Sequence, residues 1–324
     1  MTLPKIVFLD AATFGDVSLE RFSEIGDCKI YQVTKPSETI GRLAGQDIVV
    51  TNKHAISEAA LAAPESQNLS LIAVAATGTD IIDHTAARRR NVKVCNVPGY
   101  AAQSVAQFTM ALILELATHA GRYGADVKAG MWQKSPVFSL LTYPSFELSG
   151  RTLAIVGYGN IGREVARMAR GFGMEVLVAA RQGAAEAPAS HRVPLEQLLP
   201  QADIVSLHCA LTPQTKNLIN NETLRLMKPS AILINTARGA LVEETALIQA
   251  LREQRLAAAA LDVITEEPPA ADHPIIVAAS ALDNLLLTPH TAWSARQARE
   301  RLLSEVAENI EAFLAGKDRN LIGY

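Results

Sequence analysis

Disulfide and zinc chemistry have little to work with in this sequence. Its 324 residues include three cysteines, Cys28, Cys95 and Cys209, with no C-x-x-C spacing. An odd number so spaced argues against a disulfide framework and fits a reducing compartment. The seven histidines form no H-x-x-x-H or H-E-x-x-H pattern, so no metal site is expected. Basic residues form no stripe. The densest run, Arg88-Arg89-Arg90, reads as a solvated helix end, and the formal net charge is -3, so no nucleic-acid partner is expected. Long hydrophobic runs are missing too. The most apolar segment, Val105 to Leu116, is short for a membrane span and contains Gln107 and Glu115. Met1 to Lys5 leads into an apolar strand without signal-peptide organisation. Together these absences predict a cytoplasmic protein with no membrane partner.

What is present is a globular composition, 49% hydrophobic and 19% charged, in a chain long enough for two domains. Short apolar runs alternate with helical patterns. Strands are expected at Ile6–Leu9, Lys29–Val33, Ile48–Thr51, Leu71–Ala75 and Lys93–Asn96, with helices between. Pro98-Gly99 breaks the pattern, and a long helix is expected near Ala102–Thr118. From Gly121 to Ser149 no period is visible, and the stretch holds Trp132, Phe138, Tyr143 and Phe146. A second alternation starts at Arg151, with strands at Leu153–Val156, Glu175–Ala179, Ile204–His208, Ala231–Asn235, Ala258–Asp262 and Leu285–Thr288. Alternation of this kind predicts an α/β fold with parallel sheets. A final helix is expected to open at Ser294, with Gln297 completing a capping box. The apolar helix 105–116 and the aromatic segment 132–146 would both need cover, which predicts a homodimer built on them.

Gly157-Tyr158-Gly159-Asn160-Ile161-Gly162 is a G-x-G-x-x-G run placed after an expected strand and at the start of an expected helix. That context is the dinucleotide-binding fingerprint: Gly157 for the tight turn, Gly159 for approach of the pyrophosphate, Gly162 for helix packing. The helix N-terminus then offers N–H groups to phosphate. An NAD-type fold usually places a carboxylate at the end of the next strand. Here that place reads Val178-Ala179-Ala180-Arg181. The carboxylate is missing and Arg181 stands beside the gap, which favours NADP, with NAD as the alternative.

Three further residues follow three expected strands: Arg238, Glu267 and His290. In an open parallel sheet, ligands bind beyond the carboxyl ends of the strands. A guanidinium there can hold a carboxylate and carbonyl as a fork. An imidazole can give or take the alcohol proton near neutral pH. A carboxylate can orient that imidazole and favour its charged form. The set suits hydride chemistry on a keto acid.

Over essentially its whole length the chain resembles the D-isomer-specific 2-hydroxyacid dehydrogenases. The glycine run, SLHCALTPQTKNLIN from Ser206, MKPSAILINTARGALVEE from Met227, ALDVITEEPP from Ala260 and TPHTAW from Thr288 carry the likeness. The resemblance implies that Arg238, Glu267 and His290 are catalytic. It implies cofactor contacts at Gly157, Gly159, Asn160, Ile161, Gly162, Ala180, Arg181, His208, Thr236, Ala237 and Asp262, the last toward the nicotinamide carboxamide. It places the substrate carboxylate on the loop Ala76-Thr77-Gly78. TNK at Thr51–Lys53, VAATGTDIID from Val74 and VPGYAAQSVAQ from Val97 look like the glycerate dehydrogenase and hydroxypyruvate (glyoxylate) reductase branch, with Lys53 a further substrate contact. Ala210, where a proline is usual, and Gln107, where many relatives carry Glu, depart from the pattern. The implied plan is two doubly wound domains: a flavodoxin-like substrate domain of residues 1–98 and 291–324, and a Rossmann coenzyme domain of residues 99–290 inserted in it. The expected reaction is reversible reduction of hydroxypyruvate or glyoxylate to D-glycerate or glycolate. The rivals are another 2-keto acid, such as pyruvate or phosphohydroxypyruvate, and a non-catalytic co-repressor-like binding protein on the same fold.

Overall fold

A computed structural model describes residues 3–181 and 192–323. The chain forms two compact units, one of Met1–Ala101 with Ser294–Tyr324, the other of Ala102–Trp293. Each division falls three residues beyond the joint drawn from sequence at 98 and 290.

The first unit is a five-stranded parallel sheet of β1 (Lys5–Phe8), β2 (Asp27–Ile30), β3 (Ile48–Thr51), β4 (Leu71–Val74) and β5 (Lys93–Cys95), in the order β2-β1-β3-β4-β5. That is the flavodoxin-like order, with its switch point between β1 and β3. Strands 3 and 4 are buried on both faces, as helices on either side of a parallel sheet require. Val7, Val49, Ile72 and Val94 face one layer of the core. The last helix, Arg296–Leu314, belongs to this unit and buries Leu302, Val306 and Ile310.

Seven parallel strands build the second unit: β6 (Thr152–Val156), β7 (Glu175–Ala179), β8 (Arg192–Val193), β9 (Ile204–Leu207), β10 (Ile232–Asn235), β11 (Ala258–Leu261) and β12 (Leu285–Leu287). Their order, β12-β11-β10-β9-β6-β7-β8, is the Rossmann order extended by one strand, with the switch point between β6 and β9. Period-two alternation divides its core cleanly. Ala154, Val205, Leu233 and Ala259 pack into one layer, while Leu153, Ile155, Ile204, Ile232 and Ile234 pack into the other.

Three expectations need correction. The segment expected to be irregular from Gly121 opens with a helix, Ala120–Lys128, and becomes irregular only afterwards. The last helix begins at Arg296 with Ala295 at its N-cap and no side-chain cap bond, so Ser294 and Gln297 form no capping box. Helix Ala102–Thr118 buries Ala106, Met110, Leu112, Ile113 and Leu116 in the core of its own unit, so its apolar pattern is by itself no argument for a partner chain. Exposed apolar surface lies instead along the next segment: Met131, Trp132, Val137, Phe138 at 91% and Leu141 at 88% exposure.

Candidate active site

The glycine run joins β6 to the helix Asn160–Gly171. Two of its glycines are dictated by the fold. Gly157 has φ +103°, and a Cβ there would lie 2.4 Å from the Cys209 nitrogen at the end of β9. A Cβ on Gly162 would lie 2.1 Å from the Gly157 carbonyl oxygen. Gly159 differs: a Cβ there would meet nothing within 4 Å. The fold itself makes no demand at Gly159, and a requirement for a bare backbone there can come only from something approaching from outside. The helix that follows has no side-chain N-cap, so its first N–H groups face outward at the switch point with the dipole's positive end. A dinucleotide pyrophosphate fits this cradle.

Beside it stands His208, just past β9. Its backbone N–H donates to Val156 at 2.7 Å, and Nε2 pairs with the Ser206 hydroxyl at 2.9 Å. Nδ1 is buried and makes no hydrogen bond. Burial pushes the imidazole down to about 3, so His208 is neutral at ordinary pH and contributes no charge. Next to this strand, Thr236 is buried and pairs with Thr109 across 3.0 Å. Ala180 follows β7 and donates its N–H to Val193 at 2.8 Å; Arg181, next in the chain, is exposed. Glu186 and its neighbours lie outside the described residues.

The other half of the site is built on the ends of β10, β11 and β12, which run in register, Asn235 beside Leu261 and Leu261 beside Leu287. Asn235, fully buried, holds the first turn: its Nδ2 donates to the Arg238 carbonyl at 2.8 Å and its Oδ1 accepts from Ala237 N–H at 3.0 Å. Arg238 in turn donates to the Ala237 carbonyl at 2.8 Å. Gly239 lets this turn sit directly on the next one, since a Cβ there would lie 1.9 Å from the Ile264 carbonyl carbon. Glu244 fixes that second turn by accepting from Thr265 N–H and Oγ1 at 2.7 and 2.9 Å. Glu267 accepts from Ile264 N–H at 3.0 Å through one oxygen and meets His290 Nδ1 at 2.5 Å through the other.

His290 itself has φ +53°, a left-handed backbone uncommon for a non-glycine residue and a form of strain that clusters at functional sites. Asp262 holds it there. The Asp262 carbonyl accepts from His290 N–H at 2.8 Å. Its carboxylate, 1% exposed, accepts from Thr288 Oγ1 at 2.6 Å, Thr291 N–H at 2.9 Å and Ala292 N–H at 2.8 Å. Sequence reasoning assigned Asp262 to the cofactor; its contacts in the structure are to the loop that carries His290. Asn235, Gly239 and Glu244 were missed altogether, because their roles depend on contacts made across the fold.

Of the expected substrate contacts, Lys53 is exposed at the end of β3. Ala76 is buried and accepts from Val97 N–H at 2.9 Å. Thr77 donates through Oγ1 to the Val97 carbonyl at 2.9 Å, and its own carbonyl accepts from Asn96 Nδ2 at 2.6 Å. Gly78 continues the same loop beyond β4. No cluster of three or more His, Cys, Asp or Glu that could hold a metal occurs among the described residues, and no described helix is long and apolar enough to cross a membrane.

A Rossmann-ordered sheet, a phosphate cradle at its switch point and a paired imidazole and carboxylate at neighbouring strand ends define a class, the nicotinamide-dependent oxidoreductases. Comparison with known proteins narrows it. Residues 110–292 match the model described as D-isomer specific 2-hydroxyacid dehydrogenase, NAD binding domain. A glycerate dehydrogenase of Methylorubrum extorquens is 40% identical over 98% of both chains. A hydroxypyruvate reductase of Blautia hydrogenotrophica is 35% identical over 98% of this chain and 99% of its own. Among solved structures, a D-lactate dehydrogenase from Aquifex aeolicus complexed with NAD and lactic acid superposes with a TM-score of 0.81 at 28% identity, over 96% of each chain. The chain belongs to the D-isomer-specific 2-hydroxyacid dehydrogenase family. It is a dehydrogenase that uses a nicotinamide cofactor and a small 2-hydroxy acid.

Proposed function

We propose that this enzyme reduces hydroxypyruvate or glyoxylate to D-glycerate or glycolate, reversibly. The observation that carries the chemistry is the 2.5 Å contact of His290 with Glu267 on a loop anchored by Asp262. Support for the substrate comes from the names of the similar proteins, glycerate dehydrogenase and hydroxypyruvate reductase, at 40% and 35% identity. When bound, the nicotinamide supplies the hydride.

The remaining work falls to the chain's own residues. Arg238 binds the keto acid's carboxylate and carbonyl as a fork, which fixes the face of the carbonyl carbon that is presented. His290 gives its proton from Nε2 to the carbonyl oxygen as the alcohol forms, because Nδ1 is committed to Glu267. Glu267, itself held by the Ile264 N–H, holds the ring's orientation. In the reverse direction neutral His290 takes the hydroxyl proton. Lys53 and the Ala76-Thr77-Gly78 backbone are the groups of the first unit assigned to the substrate carboxylate. Residues 1–98 with 291–324 are assigned to substrate and 99–290 to coenzyme. Gly157, Gly159, Asn160, Ile161 and Gly162 receive the pyrophosphate, His208, Thr236 and Ala237 line the same strand ends, and Asp262 keeps its assignment to the carboxamide in addition to its loop contacts.

Arg181 is assigned to the ribose 2′-phosphate, making NADPH the preferred cofactor. The segment from Met131 to Leu141 is assigned to a homodimer interface, and the enzyme to the cytoplasm. A direct check is the reverse reaction. D-glycerate should reduce the oxidised nicotinamide, L-glycerate should not, and His290→Ala should slow the D-glycerate reaction about 10²–10⁴-fold; equal rates with both isomers would refute the assignment.

A further inference from the structure

We propose that Asp10 is a positioning residue for Lys53, closing the switch point of the first sheet from within. This rests on the reading of Lys53 as a substrate contact. Asp10 follows β1 and the Asn52–His54 turn follows β3. The two strands are neighbours whose connections leave in opposite directions, the crevice where open α/β sheets take their ligands. Three successive backbone N–H groups of the turn face that crevice, an arrangement that binds anions. Here the anion is the protein's own. The Asp10 carboxylate, 8% exposed, accepts from Asn52 N–H at 2.9 Å, Lys53 N–H at 2.6 Å and His54 N–H at 2.9 Å.

The turn is further pinned by Thr51 Oγ1 donating to the His54 carbonyl at 2.8 Å and by Asn52 Nδ2 donating to Thr13 Oγ1 at 3.3 Å. The adjoining loop is tied on as well, since Ala75 N–H donates to the Thr51 carbonyl at 2.8 Å. Asp10 therefore occupies the amides that would otherwise take an external anion and fixes the backbone from which the exposed Lys53 side chain projects. An anionic keto acid is left to the lysine and the neighbouring loop.

Charge and position make opposite predictions, which allows a clean test. Asp10→Asn removes a negative charge near an anionic substrate's contact; acting by charge alone it would lower KM, and Asp10→Glu would leave KM unchanged. As a positioning residue, Asp10 predicts a KM for hydroxypyruvate raised about tenfold in both variants, the scale of one weakened charged contact. The effect on kcat should be far smaller, and NADPH affinity read by nicotinamide fluorescence should be unchanged. Lys53→Ala should raise KM by itself, and adding Asp10→Asn to it should change little more. If Lys53→Ala raises KM while both Asp10 variants leave it unchanged or lower it, the proposal is overturned and the substrate reading of Lys53 stands. If Lys53→Ala leaves KM unchanged, that reading fails and takes the proposal with it. Amide hydrogen exchange on the unaltered enzyme needs no variant to fold: slow exchange at Asn52, Lys53 and His54 is expected, and free exchange there overturns the proposal.

Discussion

Glu267 and His290 stand 23 residues apart in sequence and 2.5 Å apart in space, Oε2 to Nδ1. The pairing commits one ring nitrogen to the carboxylate and leaves Nε2 as the nitrogen available to substrate. Because Glu267 also accepts from Ile264 N–H, its own position is set by backbone and not by a mobile side chain.

Glu267→Gln should lower kcat for keto-acid reduction on the order of 10²–10⁴-fold, because an amide in that place no longer presents an acceptor-only partner to Nδ1 and the ring loses the orientation that aims Nε2 at substrate. Turnover is read by nicotinamide oxidation. A kcat within a few fold of the unaltered enzyme would show that the contact does not serve catalysis. His290→Ala should cost about 10²–10⁴-fold in kcat, the usual scale for a positioned acid or base.

Arg238→Lys should nearly abolish turnover while nicotinamide binding persists. Lysine keeps the charge and loses the planar fork. Turnover within a few fold of the unaltered enzyme would remove Arg238 from its assigned role.

Burial of His208 has a consequence for stability. Its native pKa of about 3 lies below the ordinary value of 6.5, so the unfolded chain binds the extra proton first. Stability should therefore fall as pH drops from about 6.5 toward about 3. His208→Gln should flatten that part of the acid-denaturation curve, measured by urea midpoints at several pH values. An unaltered slope would place the acid sensitivity elsewhere.

Light scattering at micromolar concentration should show a dimer. Phe138 and Leu141 are almost fully exposed, yet Trp132 Nε1 donates to the Phe138 carbonyl at 2.9 Å. An ordered loop holding apolar side chains outward is an interface signature. Phe138→Asp with Leu141→Asp should yield monomer, and a monomeric parent protein would refute the interface.

The proposed preference for NADPH rests on Arg181. A charge-assisted bond to a 2′-phosphate contributes roughly 1.5–3 kcal/mol, which is on the order of 10–100-fold in favour of NADPH. Arg181→Ala should remove that preference. Equal specificity constants for NADPH and NADH in the parent enzyme would show that Arg181 only faces solvent.

The strands were legible because buried parallel strands write themselves as apolar runs such as Ile232-Leu233-Ile234, and the glycine run was legible because its spacing is local. Local signals failed where a competing contact decided. Ser294 and Gln297 have capping-box spacing, but the helix starts two residues after Ser294, behind Ala295. The apolar helix from Ala102 reads as needing a partner until the sheet is seen to cover it. Asp10, Gly239 and Asp262 act through residues some 25 to 44 positions away, and nothing in the residues adjoining them announces those contacts.

The most direct test of the whole account is a panel of keto acids with NADPH. Specificity constants for hydroxypyruvate and glyoxylate are expected to exceed those for pyruvate and phosphohydroxypyruvate, with turnover lost in His290→Ala. A higher constant for pyruvate or phosphohydroxypyruvate, or nicotinamide oxidation that survives His290→Ala undiminished, would contradict it.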